Sequence, residues 1–387
     1  MWRKKIVSTK KRNINLDLIR VVAIFTVLSV HFFLQTGFYD EIVVGKRMFL
    51  MGTMRTLFMI CVPLFLLLTG FLMNKKVASR KYYGGLKKTY MMYVLASIAC
   101  LIYLSISRNQ SFGIIESIKM ILNFSAASYS WYIEMYIGLF LLIPFLNLLY
   151  NGLKSKRQKI GLIVTMFSLT VLPSVVNVWG ISREIHSIFM PGGSANWVKI
   201  IPSYWGALWP LTYYFIGAYI REYDIKIRKR DNFILLVISL ILFGIFNYMR
   251  SYQTTYEMSD YNSFQGIQPT ILAVLVFLLI LHMNLENISN ILKSIITKIS
   301  ELSLGMYLVS SIFDTLIYPK LNARILEMPK RMEWYIVIVP LVFICSLVLS
   351  GILDYISRFI FYCSGQITYI LKEYKEKLNK QKSRGGE

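Results

Sequence analysis

Apolar residues come in runs of about 18–25, the length that crosses a hydrocarbon core of about 30 Å. Ten such runs stand out, at 15–36, 50–73, 89–106, 131–150, 160–179, 204–221, 232–249, 268–284, 301–318 and 334–357. A surface helix of a soluble domain keeps a polar face, and these runs carry few charges on any side. The longest polar stretches between them are about 25 residues, too short to bury a core of their own. The pattern predicts an all-α integral membrane protein of about ten transmembrane helices, with no sizeable soluble domain.

Lysine and arginine give the runs a direction. Residues 1–14 and 74–88 carry six each, 151–159 four, 221–231 five, 285–300 two and 358–387 seven. That is thirty, against eleven in the alternate stretches, of which four fall in 319–333. Basic residues stay on the cytoplasmic side, so both termini are expected to be cytoplasmic. Three regions follow: a basic N-terminus over 1–14, a polytopic domain over 15–357, and a basic tail over 358–387, expected as a frayed helix near anionic lipid.

Composition changes this picture little. Hydrophobic residues make up 56% of the 387, above the roughly 45–50% of soluble domains. A net charge of +23 would suit nucleic acid, but its placement in alternate loops points to membrane lipids and excludes a nucleic-acid partner. Cys61, Cys100, Cys345 and Cys363 lie in or beside apolar segments without a CxxC pair, so they read as packing residues, with no disulfide or metal site. The N-terminal run has the look of a signal peptide, yet it carries Arg20 and His31 and no small-x-small cleavage site follows it. It is expected to be a retained first helix.

Ionisable groups inside a membrane each cost about 2.5–3.5 kcal/mol on insertion scales, so they need a reason. The first helix has three: Asp17, Arg20 and His31. At about 100° per residue, Arg20 and His31 come within about 20° of one face, about 16 Å apart along the axis. Asp17 is one turn before Arg20 and can pair with it. A neutral imidazole suits proton transfer near pH 7; the alternative is a hydrogen-bonded packing histidine. In the ninth run, Ser303, Tyr307, Ser311 and Asp314 form one polar stripe, facing either a cavity or a neighbouring helix. Glu134, one turn from Trp131 near the outer end of the fourth run, either orients His31, contacts an acceptor, or is solvated at the interface. Arg55 is expected to snorkel outward, and His186 and His282 have no visible partner. Trp197, Trp205 and Trp209 follow the irregular Pro191-Gly192-Gly193 and read as an interfacial belt, with carbohydrate stacking as the alternative.

Several stretches resemble a known family. Asn15-Leu16-Asp17-Leu18-Ile19-Arg20, followed by His31, resembles the opening of the acyltransferase family 3 membrane proteins, whose first helix carries an Arg, ten intervening residues and a His. Val62-Pro63 through Leu68-Thr69-Gly70, Ser130-Trp131-Tyr132-Ile133-Glu134 running on to Pro144, Tyr214-Phe215-Ile216-Gly217, and Ser303-Leu304-Gly305-Met306-Tyr307 are similar to later helices of that family, in order. There are departures: Gly85-Leu86-Lys87-Lys88 stands where the family often has Arg-x-x-Arg, and Ser310 where its ninth helix often has His.

The resemblance implies an enzyme that moves an acyl group, usually acetyl, from cytoplasmic acyl-CoA to a hydroxyl of an envelope polysaccharide or glycolipid. It implies His31 and Arg20 as the catalytic pair, with His31 either a general base or a transient acyl carrier. On chemical grounds Arg20 suits the acetyl-CoA phosphates or the thioester, and Lys87 and Lys88, in the basic surface of 74–88, either contact the CoA phosphates or are ordinary positive-inside charge; Asp17, Glu134, Trp131, Tyr307 and Asp314 are expected to support. Acyl-CoA is a donor substrate here, not a resident cofactor. The expected location is the bacterial cytoplasmic membrane, as a multi-pass protein. Without an appended hydrolase-like domain, the chain is expected to act alone, as a homo-oligomer, or with a separate extracytoplasmic partner. The rival class is a transporter or flippase for glycan intermediates, against which the lack of an inverted repeat speaks.

Overall fold

The computed structural model describes residues 12–177, Phe189 and 200–384, with side chains to Gln366 apart from Arg108. His186 and Trp197 lie outside the described residues. The helices are α1 (Ile14–Gln35), α2 (Gly45–Phe58), α3 (Cys61–Met73), α4 (Arg80–Gly84), α5 (Leu86–Arg108), α6 (Ile114–Leu122) and α7 (Trp131–Gly152). They continue as α8 (Lys156–Thr170), α9 (Leu172–Val176), α10 (Trp209–Tyr223), α11 (Lys229–Ser251), α12 (Ile267–Leu281), α13 (Asn290–Arg324) and α14 (Tyr335–Arg384). The chain is an all-α, multi-pass membrane protein, and among the described residues eight helical segments are long and apolar enough to cross a bilayer.

Two of the ten expected spans do not reach that standard, and proline and aromatic residues explain why. The run 160–179 is broken at Val171, between α8 and α9. Pro173 has no N–H for the carbonyl four residues back, so the helix cannot run on undisturbed. The run 204–221 opens as a 3-10 turn over Tyr204–Leu208, and α10 has fifteen residues rich in tyrosine. Tyr213, Tyr214 and Phe215 are almost fully buried, so α10 meets protein more than lipid and has less need of a purely apolar surface. The expected span 50–73 is α2 and α3, parted at Met59–Ile60 just ahead of Pro63. The expected boundary at 357 is not marked by any break, since α14 is continuous to Arg384.

Local signals set the ends of α1. The Asn13 side chain caps its first turn by accepting from the Asn15 N–H at 3.0 Å. At the other end the Thr36 hydroxyl donates to the Phe32 carbonyl at 2.7 Å, and Gly37 takes φ +77°, which turns the chain away. α1 then packs among α3, α12, α13 and α14, while α11 and α14 turn rows of exposed aliphatic residues outward. α6 was not foreseen within the stretch 107–130. It exposes Ile114, Ile115, Ile118 and Leu122 and buries nothing.

Three of the glycines in the quoted sequence motifs are packing glycines. A Cβ at Gly70 of α3 would collide with the Tyr214 carbonyl of α10, and one at Gly217 with the Leu67 carbonyl. A Cβ at Gly305 of α13 would collide with the Ser350 hydroxyl of α14. Small residues let helix backbones approach where lipid offers no hydrophobic drive. The first two contacts are with backbone, so no rotamer change relieves them. Gly217→Ala should therefore destabilise the protein by about 1–3 kcal/mol or more. Gly138→Ala is the control, because its Cβ would meet open space. Thermal melting in detergent should fall for Gly217→Ala and stay put for Gly138→Ala; equal melting would mean the α3–α10 contact is not tight.

Candidate active site

α1 and α13 lie side by side and bring together the buried Asp17, His31 and Asp314. At the N-terminal end of α1, Asp17 is 2% exposed and is gripped by Arg12, with Nε to Oδ2 at 2.6 Å and Nη2 to Oδ1 at 2.9 Å. This two-point pairing is the strong form of a charge-assisted bond. It raises the Arg12 guanidinium above its ordinary pKa, so Arg12 stays cationic. Arg12 also reaches Glu301 at 2.5 Å, and the Ser300 hydroxyl donates to Asp17 at 2.6 Å. Asp17 was expected to pair with Arg20. It does so only through Nη1 at 3.2 Å, its main partner being Arg12.

Arg20 is consequently underused. Besides Asp17 it makes one long bond, to the Ser300 hydroxyl at 3.3 Å. A guanidinium has five donors, and among the described residues Nε and Nη2 bond to nothing. Arg20 lines a cavity of about 250 Å³ whose walls come from α1, α3, α5, α7 and α13. Arg20, Thr89, Ser300 and Glu301 line its charged end, and Val27, Tyr132 and Tyr307 its far end. Phe65, Leu68 and Leu72 supply an apolar wall between. Lys87 and Lys88 are exposed on the first turn of α5, immediately before the cavity-lining Thr89.

His31 lies one turn beyond Val27. Its Nδ1 is 3.0 Å from Asp314 Oδ2, with the histidine side chain 8% exposed and the aspartate fully buried. The contact is close but is not an aligned hydrogen bond. Tyr129 locks the pair. Its ring stacks on the imidazole with centroids 3.8 Å apart, and its hydroxyl donates to the same Oδ2 at 2.8 Å. The Gln35 amide donates to that hydroxyl at 3.0 Å, and the Tyr307 hydroxyl donates to the Tyr129 carbonyl. Among the described residues, His31 Nε2 has no hydrogen-bond partner. One imidazole nitrogen thus faces a carboxylate while the other is free for a substrate proton, the division of labour that makes a histidine a base.

The polar stripe of α13 serves three neighbours. Ser303 and Tyr307 border the cavity, Ser311 meets the Cys100 thiol of α5, and Asp314 meets His31. Other expected residues lie elsewhere. Glu134 is exposed on α7 and makes no hydrogen bond or ion pair among the described residues, so it does not orient His31; Asp314 stands in that place. Trp131 is 41% exposed and stacks on Phe264, which also stacks on Trp209. Arg55 does not snorkel. It is 2% exposed, donates to the Tyr39 hydroxyl and the Asn262 carbonyl, and lies 5.1 Å from the Tyr256 ring centroid. His282 is 2.9 Å from the Ile225 carbonyl, a structural contact.

Sequence reasoning missed Arg12, Gln35 and Tyr129. Gln35 was findable, one turn after His31 on the same face. Tyr129 sits just before α7, outside any helical period. Arg12 was read only as one of six inner charges. Among the described residues, no cluster of His, Cys, Asp and Glu could hold a metal ion.

A family model described as an acyltransferase domain matches residues 13–354, from just before α1 into α14. No curated protein and no solved structure matches the chain.

Proposed function

The chain belongs to this acyltransferase family, and from that premise we propose that it transfers an acetyl group from cytoplasmic acetyl-CoA to a hydroxyl of an envelope polysaccharide or glycolipid. The observation that carries the reading is His31, paired through Nδ1 with Asp314 and open at Nε2, just past the far end of the cavity that begins at Arg20. In this reading the acceptor hydroxyl attacks the thioester carbon and gives its proton to His31 Nε2. The new C–O bond replaces the C–S bond, and the proton passes on to the departing thiolate. Asp314 stabilises the imidazolium formed between the two steps. Arg20, with spare donors at the charged end of the cavity, suits the donor's phosphates or thioester oxygen. The exposed Lys87 and Lys88 would add charge at that mouth. The family match supports an enzyme over the transporter alternative, the positive-inside pattern supports both termini on the cytoplasmic side, and the proposed location is the bacterial cytoplasmic membrane.

The test is direct. Purified protein incubated with labelled acetyl-CoA and candidate glycans should place alkali-labile label on one glycan and release free CoA. Absence of both, from protein shown to be folded, would sink the reading. Arg20→Lys keeps the charge but loses the planar fork. It should raise the acetyl-CoA KM about tenfold, or ~1.4 kcal/mol, with folded yield unchanged. An unaltered donor dependence would remove Arg20 from the donor site.

A further inference from the structure

α1 and α13 are tied together at two points, with His31 and Asp314 between them. The first tie is the Arg12–Asp17–Ser300 cluster. The second is at the opposite ends of the helices, and it uses Arg331 from the 3-10 turn Met328–Trp334. Arg331 Nη1 donates to the Thr36 carbonyl at 2.5 Å, at the end of α1. Its Nε donates to the Ile325 carbonyl at 2.8 Å, and Nη2 to those of Leu326 at 3.2 Å and Asn322 at 3.4 Å, all at the end of α13. The Asn322 amide adds a bond to the Gln35 carbonyl at 2.8 Å. Arg331 has no carboxylate partner among the described residues.

Helix C-termini leave carbonyls unpaired and carry the negative end of the dipole, so one cation shared by two of them draws them together. A guanidinium does this better than an ammonium, because its donors diverge in a plane. The geometry matters for the site. α1 and α13 are stiff, so a slide of one past the other moves His31 off Asp314 by the same amount. Gln35, in this second tie through its carbonyl, also holds the Tyr129 hydroxyl through its amide. The stretch 319–333 has the most basic residues of those assigned to the outer side, and Arg331 is one with a structural duty.

We propose that Arg331 is a positioning residue: it gathers the carbonyl ends of α1 and α13 and so holds His31 against Asp314 and Tyr129. The proposal rests on the reading of His31 as the proton acceptor. Its test uses Arg331→Ala and Arg331→Lys in the full chain, with folded yield, kcat, donor KM and the rate of His31 modification by diethyl pyrocarbonate as readouts. Misplacing a catalytic group by about 1 Å can cost on the order of 100-fold. Arg331→Ala should lower kcat by about 10–100-fold. Donor KM should stay within about twofold, because Arg20 and its cavity belong to the other tie. His31 should label several-fold faster once its stack on Tyr129 loosens. Arg331→Lys should recover part of both effects. Wild-type kcat and labelling in Arg331→Ala would overturn the proposal, as would a loss confined to KM. Should Arg331→Ala not fold, Arg331→Lys and Asn322→Ala decide by the same readouts, and no change in either readout overturns it. If the unmutated protein transfers no acetyl group, the proposed function fails while the labelling rates still decide the tie.

Discussion

His31→Ala is expected to reduce acetyl transfer by about 10²–10⁴-fold, the usual contribution of a general base, or roughly 3–5 kcal/mol of barrier. Donor KM should hardly move, since Arg20 lies about 16 Å away along α1. His31→Gln should be as inactive, because an amide can hydrogen-bond but cannot take up the proton. Two rival accounts give different patterns. If His31 only packs, losing its stack on Tyr129 would cost about 0.5–1.5 kcal/mol of stability. Melting temperature would then drop while turnover per folded molecule stayed normal. If the protein moves glycans without acylating them, even the unmutated chain would consume no acetyl-CoA. Folded yield, donor binding and transfer measured on the same preparations separate these patterns. Wild-type turnover per folded molecule in His31→Ala would end the catalytic assignment.

The chemistry of α1 was legible because a charge inside an apolar run is conspicuous wherever the chain later folds. Asp314 was legible for a similar reason, as the acid on a helical stripe of polar groups. What faces what was not legible. Glu134 and Asp314 are both acids on membrane helices, and no local pattern says that the first is exposed and the second meets His31. Arg55 was misread because its partners, Tyr39, Tyr256 and Asn262, are up to 207 residues away in sequence. Arg12 and Arg331 were counted as charges that set topology, whereas their work depends on carboxylates and carbonyls brought in by folding. Spans were found by apolarity, so α10, tyrosine-rich and inside the protein, fits the span rule least well. The motif glycines marked the right family, but their role needs the partner backbone to be seen.

Asp314→Asn is the sharper test of the site, since it changes charge with almost no change in shape. The carboxylate is buried, lies 3.0 Å from His31 Nδ1 and accepts from the Tyr129 hydroxyl at 2.8 Å. Both contacts fall on Oδ2, so asparagine either keeps them with a neutral oxygen or puts its NH₂ there instead. If its oxygen stays toward Tyr129 and His31, the imidazolium loses its counter-charge. If its NH₂ turns toward Nδ1, that nitrogen becomes the acceptor and Nε2 carries the hydrogen, so it cannot serve as a base. Either way, transfer should fall by about 10²–10⁴-fold, in line with what the wrong tautomer costs in a catalytic triad. Stability should move the other way or not at all, because an ionised carboxylate inside a membrane protein is costly to bury. A purely structural aspartate would show the reverse, with normal turnover and a weakened fold. The double variant His31→Ala/Asp314→Asn should be scarcely slower than His31→Ala alone, since residues acting as a unit do not add. Fully additive losses would mean that Asp314 contributes to transfer by a route that does not pass through His31.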